Sequence, residues 1–148
     1  MSTEHAPREP YDDIQYPHQR VTGVIIASAY AVHRAFGFGF LEAVYRRAMA
    51  VELRYLGLDV QQETSFPLHY RGECVGNYRA DLIVANCVIV EVKAGPRLDP
   101  TARAQLLNYL SCSGLELGLI VHFGPSVEIK RMVATRPPQL QRPSAPSA

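Results

Sequence analysis

Two short segments of the sequence place two acids and a lysine where they could act together. Tyr78–Ala85 and Val88–Ala94 both read as strands, and side chains alternate between the two faces of a strand. In the second, Val88, Val90, Val92 and Ala94 share one face, and Ile89, Glu91 and Lys93 share the other. In the first, Ala80, Leu82 and Val84 form one face, and Arg79, Asp81 and Ile83 the other. Each strand thus has an apolar face to bury and charged groups opposite.

Register decides whether the charges meet. Opposed residues of an antiparallel pair share a face. A loop of Ala85-Asn86-Cys87 opposes Val84 to Val88, Asp81 to Glu91 and Arg79 to Lys93, and Asn86 tolerates the left-handed backbone that such a loop needs. A two-residue loop would oppose Asp81 to Val92 and split the polar face. The apolar pattern therefore favours the register that joins the carboxylates. Like charges directly opposed destabilise a sheet, and a divalent cation between them reverses that. Mg²⁺ suits a few carboxylate oxygens, with water at its remaining positions. A metal-bound water beside a lysine is a nucleophile suited to phosphodiester hydrolysis. The same spacing also suits a solvated polar face with cross-strand ion pairs.

Two helical constellations belong with these strands. Gln105 and Tyr109 are four apart on one helix face, and Glu42 and Tyr45 are three apart just after Gly39. Each has a plainer alternative. Tyr45 and Tyr109 could pack as core with the hydroxyl at the rim, Gln105 could be helix surface, and Glu42 could serve the helix dipole.

The elements that must position these groups follow from periodicity. Residues 18–36 repeat apolar side chains at helical spacing and end at Gly37-Phe38-Gly39; a second helix spans about 41–56 and stops at Gly57. Leu58–Glu63 and Phe66–Tyr70 are short strand candidates, with a turn at Arg71-Gly72-Glu73. After Val88–Ala94, Asp99 as N-cap and Pro100 at the first helical position start a helix that runs to Gly114. Leu117–Phe123 and Val127–Met132 are the last strands. The expected order is α-α-β-β-β-β-α-β-β, an α/β sandwich with a mixed sheet. Residues 1–17 read as a flexible arm, 18–133 as one folded domain, and 134–148 as a disordered Pro-rich tail.

Composition bounds the function classes. The chain has 148 residues, with 47% hydrophobic and 20% charged, a globular balance for one domain. With 15 Lys+Arg against 14 Asp+Glu the net charge is +1, so charge alone does not indicate nucleic acid. Thirteen of the basic residues are Arg, leaving Lys93 and Lys130 as the only lysines. No run is long and apolar enough for a membrane span, and no apolar leader opens the sequence, so a cytoplasmic location is expected. Cys74, Cys87 and Cys112 are too scattered for a disulfide framework or a zinc site and read as reduced thiols.

Taken together, five motifs resemble those of the GxxExxY protein family. They are Gly39-Phe40-Leu41-Glu42-Ala43-Val44-Tyr45, Tyr78-Arg79-Ala80-Asp81-Leu82, Val90-Glu91-Val92-Lys93-Ala94, Ala104-Gln105-Leu106-Leu107-Asn108-Tyr109-Leu110, and Gly118-Leu119-Ile120-Val121 before Phe123-Gly124. They cover about 20–133. That family is similar to the PD-(D/E)XK nuclease superfamily, which implies a restriction-endonuclease-like core with a mixed central sheet flanked by helices. The resemblance implies Mg²⁺ (or Mn²⁺) held by Asp81, Glu91 and Glu42, Lys93 as the catalytic lysine, and Gln105 and Tyr109 lining the active site with Tyr45 and Arg79. It implies nucleic acid, DNA or RNA, as substrate. The superfamily's proline before the aspartate is replaced by Ala80. His33 matches a family position and reads as a hydrogen-bonded helix histidine. Two further readings stand beside a nuclease. One is a non-catalytic nucleic-acid- or protein-binding module on the same fold; the other is a small-ligand binder, which no sequence feature supports. The oligomeric state is open.

Overall fold

A computed structural model describes residues 18–134. The expected N-terminal arm, and all but the first residue of the expected tail, lie outside the described residues. The elements in chain order are α1 (Gln19–Phe36), α2 (Glu42–Tyr55), β1 (Val60–Tyr70), β2 (Glu73–Val84), β3 (Val88–Ala94), α3 (Ala102–Ser113), β4 (Leu117–Phe123) and β5 (Val127–Val133). The strands form one sheet in the order β1-β2-β3-β4-β5. All neighbours are antiparallel except β3 and β4, which are parallel and joined across the sheet by α3.

The sheet separates two apolar clusters. On one face Ile25, Ala29 and Val32 of α1 and Tyr45, Met49 and Leu53 of α2 pack on Leu82, Val84, Val88, Val90, Val92 and the odd-numbered residues of β4. On the other, Ala102, Leu106 and Leu110 of α3 pack on Ile83, Ile89, Ile120 and Met132. Strand β4 is buried at every position from Leu117 to Phe123, as a parallel strand covered on both faces must be. Helix α3 lies close to it. A Cβ on Gly118 would sit 2.9 Å from a methyl of Leu106, so glycine sets the spacing that brings α3 over the sheet.

Three expectations need correction. Two short strands over Leu58–Glu63 and Phe66–Tyr70 are one strand, so the order is α-α-β-β-β-α-β-β. Glu63 does adopt a left-handed backbone, φ 54°, but β2 holds the ladder on both sides of it, pairing Gln62 with Leu82 and Thr64 with Ala80. Second, Ala80 does not share a face with Leu82. Tyr78 and Ala80 pack with Ile83 under α3, so the alternation of β2 breaks around Asp81. Third, the helix after β3 begins at Ala102, not Pro100. Asp99 accepts from the Thr101 N–H at 2.9 Å and from its hydroxyl at 2.8 Å, a local turn that precedes the helix.

The Ala85–Cys87 loop has the register that the sequence favours. Val84 opposes Val88, Ile83 opposes Ile89 and Leu82 opposes Val90. Both Ala85 and Asn86 are left-handed, at φ 53° and 55°.

Candidate active site

Beyond Leu82 and Val90 the paired strands part, and the candidate chemistry lies in that opening. Asp81 and Glu91 do not continue the ladder. Instead the Asp81 carboxylate accepts the Val92 N–H at 2.8 Å, and its other oxygen lies 3.8 Å from the Arg46 guanidinium of α2. Arg46 also reaches Glu63 at 3.4 Å, so it stands between the carboxylates of β1 and β2. Glu91 is buried and accepts the Tyr78 hydroxyl. Tyr78 is stacked on Tyr109 of α3, with centroids 3.5 Å apart and rings 7° from parallel.

Tyr78, Asp81, Glu91 and Tyr109 help wall one cavity of about 280 Å³, and Arg46 and Glu63 stand outside its wall. Asp81, Glu91 and Lys93 line its floor from the sheet, Arg79 lies at its exposed rim, and Gln105 and Tyr109 close it from α3. The strand break at Asp81 aims β2's acid into the gap, and the 3.6-residue period of α3 carries Gln105 and Tyr109 to the same side.

The electrostatics follow from crowding two acids away from water. Burial, then the charge of Asp81, pushes the Glu91 carboxyl up to about 7, against the opposing pull of Tyr78 and Lys93. Burial also raises Asp81, while the Val92 N–H, Arg46 and Lys93 pull it down. Burial, then Glu91, holds the Tyr78 hydroxyl above the ordinary tyrosine range, so it stays a donor.

Two expected site residues lie elsewhere. Tyr45 is fully buried on the opposite face of the sheet, stacked 4.4 Å from Phe123, with its hydroxyl donating to the Gly37 carbonyl. It is core because α2 docks by that side chain. Glu42 opens α2, half-buried, and is not part of the cavity wall. One turn later on the same helix side, it is Arg46 that reaches Asp81. Among the described residues no three His, Cys, Asp or Glu side chains gather as a metal-holding group. His33 bonds through Nε2 to the Gly124 carbonyl at 2.9 Å, as a structural histidine would.

The sequence reading did not single out Tyr78 or Arg46 as site residues. Tyr78 could have been found from its position three residues before Asp81 in an alternating strand, had the break been foreseen. Arg46 stands four residues after Glu42, which marks it as sharing that helix side.

The donor set suits a divalent cation. Burial raises both carboxyls and the charge of Asp81 raises Glu91 further, and a bound cation would relieve that repulsion.

Comparison with known proteins agrees with this architecture. A family model for the PD-(D/E)XK nuclease superfamily matches residues 19–132. Among solved structures, the crystal structure of SSO0001 is similar in fold, with a TM-score of 0.51 at 15% identity, covering 93% of this chain and 74% of that one. No curated protein matches the sequence.

Proposed function

The chain belongs to the PD-(D/E)XK nuclease superfamily, and from that premise we propose that it is a divalent-metal-dependent nuclease, placed more narrowly with the GxxExxY proteins. One observation carries the reading: Asp81, Glu91 and Lys93 line a single cavity where β2 and β3 part. Asp81 and Glu91 would hold Mg²⁺ or Mn²⁺, which when bound supplies an acidified water and neutralises phosphate charge. Lys93 offers its ammonium to the charge that develops on the phosphate. Tyr78 orients Glu91 by donating to one of its carboxylate oxygens. Arg79, exposed at the rim, meets a backbone phosphate, and the half-buried Tyr109 ring gives a base a surface to stack on. Glu42 is left without a role at the metal.

The test is cleavage of single- and double-stranded DNA and RNA with Mg²⁺ or Mn²⁺, by wild type and Asp81→Asn, beside calorimetric Mg²⁺ titration of both. Metal binding and cleavage lost together in Asp81→Asn support the reading. Wild type that binds no metal and cuts nothing overturns it.

A second reading has its own observation. Arg46 already neutralises Asp81 from α2, as suits a module that binds nucleic acid or a protein without turnover. Binding of an uncleaved oligonucleotide with no dependence on Mg²⁺ would favour it.

A further inference from the structure

His122 stands beside the proposed catalytic lysine with its hydrogen-bonding capacity unused. It is 2% exposed. Among the described residues neither ring nitrogen has a hydrogen-bond partner. An imidazole always carries at least one N–H, and a buried polar atom left without a partner loses the hydrogen bond that water would give it. A phenylalanine ring would fill similar space without that cost.

Its place in the sheet says which group could answer it. In the parallel pairing of β3 with β4, His122 is the register partner of Lys93. The alternation of β4 sends Leu117, Leu119, Val121 and Phe123 to the α1 and α2 face. His122 therefore lies on the α3 face with Glu91 and Lys93. Across β5 its partner is Glu128, which is exposed. Room for the ring depends on glycine: a Cβ on Gly124 would be 2.9 Å from Cε1 and 3.4 Å from Nδ1 of His122, and 3.3 Å from the Gly95 carbonyl oxygen. The imidazole is buried close to Gly124 and is not among the residues that line the cavity.

We propose that His122 is a positioning residue for Lys93: its unprotonated ring nitrogen accepts from the Lys93 ammonium through one internal water and holds the amine toward the cavity. A lysine has three donors on a flexible stem, so one fixed acceptor behind it removes rotational freedom that catalysis would otherwise have to restrict. A bridging water is the usual way a buried polar group of this kind is satisfied. The consequence for catalysis rests on the nuclease reading above; the contact itself does not.

The contact is tested in the full chain without substrate or metal. Long-range ¹H–¹⁵N spectra report the tautomer and hydrogen bonding of each histidine ring. Lys93→Met removes the donor and leaves His122 in place. The expected result is a clear shift of one His122 ring nitrogen in Lys93→Met, with no shift in Lys130→Met and none at His69 on the β1 strand. An unchanged His122 in Lys93→Met, or an equal change in Lys130→Met, overturns the inference. A second measurement uses turnover. His122→Phe should lower kcat roughly 10–100-fold, with calorimetric Mg²⁺ affinity unchanged, and His122→Asn, which keeps a donor and an acceptor, should recover most of it. Equal kcat in wild type and His122→Phe overturns the positioning role. Should the wild type cut nothing, the nuclease reading fails and the spectra still decide the contact.

Discussion

At the residue scale the two acids are the least comfortable groups in the fold. Glu91 is raised to about 7 by burial and by Asp81. Its ordinary value is near 4.5. Below about pH 4.5 the carboxyl is protonated in folded and unfolded chains alike, and its penalty is absent. Between there and 7 the folded protein retains the proton that the unfolded chain releases, so stability falls as pH rises and levels off above 7. In EDTA, wild type should therefore lose melting temperature between pH 5 and 8 relative to Glu91→Gln, by a difference on the order of 2–3 kcal/mol. Mg²⁺ should remove most of that difference at pH 8. Parallel pH profiles of the two proteins would show that Glu91 is not buried beside a second charge. Lys93 and Asp81 should fail in different ways. Lys93→Ala has no ligand to lose, so Mg²⁺ affinity stays level or rises while kcat drops about 10²–10³-fold. Asp81→Ala loses metal affinity first, and excess Mg²⁺ recovers part of its activity but none of that of Lys93→Ala. Undiminished cleavage by Lys93→Ala would remove the lysine from the mechanism.

At the element scale, α3 and the break in β2 make the cavity. Helix α3 rests on β4 at Gly118, where the side chain of Leu106 leaves no space for a methyl group. Gly118→Ala should force Leu106, itself 1% exposed, out of place. The cost should be about 1–3 kcal/mol, read as a fall of several degrees in Tm. It should also weaken the Tyr78–Tyr109 stack, visible in near-ultraviolet circular dichroism; an unchanged Tm would mean that α3 is free to slide. What the sequence revealed of these elements depended on how local each cause was. The faces of β3 and its turn into β2 were legible because alternation and the Asn86 loop are written in adjacent residues. The union of β1 was not, because a non-glycine residue at Glu63 takes a left-handed backbone only when a neighbouring strand enforces it. The face of Ala80 and the core placement of Tyr45 were hidden for a similar reason. One depends on where β2 leaves β3, and the other on which end of α2 docks against Phe123. That the acids and the lysine share one cavity was legible in their spacing, whereas Arg46 reaches Asp81 only through the packing of α2 on the sheet.

At the scale of the whole molecule, charge is nearly balanced, at +1 over the chain. No helix among the described residues is long and apolar enough to cross a membrane. On the proposed function, a nuclease with so little net charge cannot gather nucleic acid through a broad positive field. It must rely on a few local contacts: the cavity offers Lys93 and Arg79, and Arg46, partly engaged with Asp81, stands beside it on α2. Each phosphate neutralised on duplex DNA contributes about −0.9 to the slope of log K against log salt. Three such contacts give a slope near −2.7, so affinity should fall by roughly 40-fold between 50 and 200 mM salt. Fluorescence anisotropy of the non-cleaving Asp81→Asn variant with a labelled duplex measures it. Arg79→Ala should flatten the slope by about one and weaken binding equally for unrelated sequences, since a phosphate contact carries no base information. A slope steeper than about −6 would require a basic surface well beyond this cavity, and no slope at all would separate the fold from nucleic acid altogether.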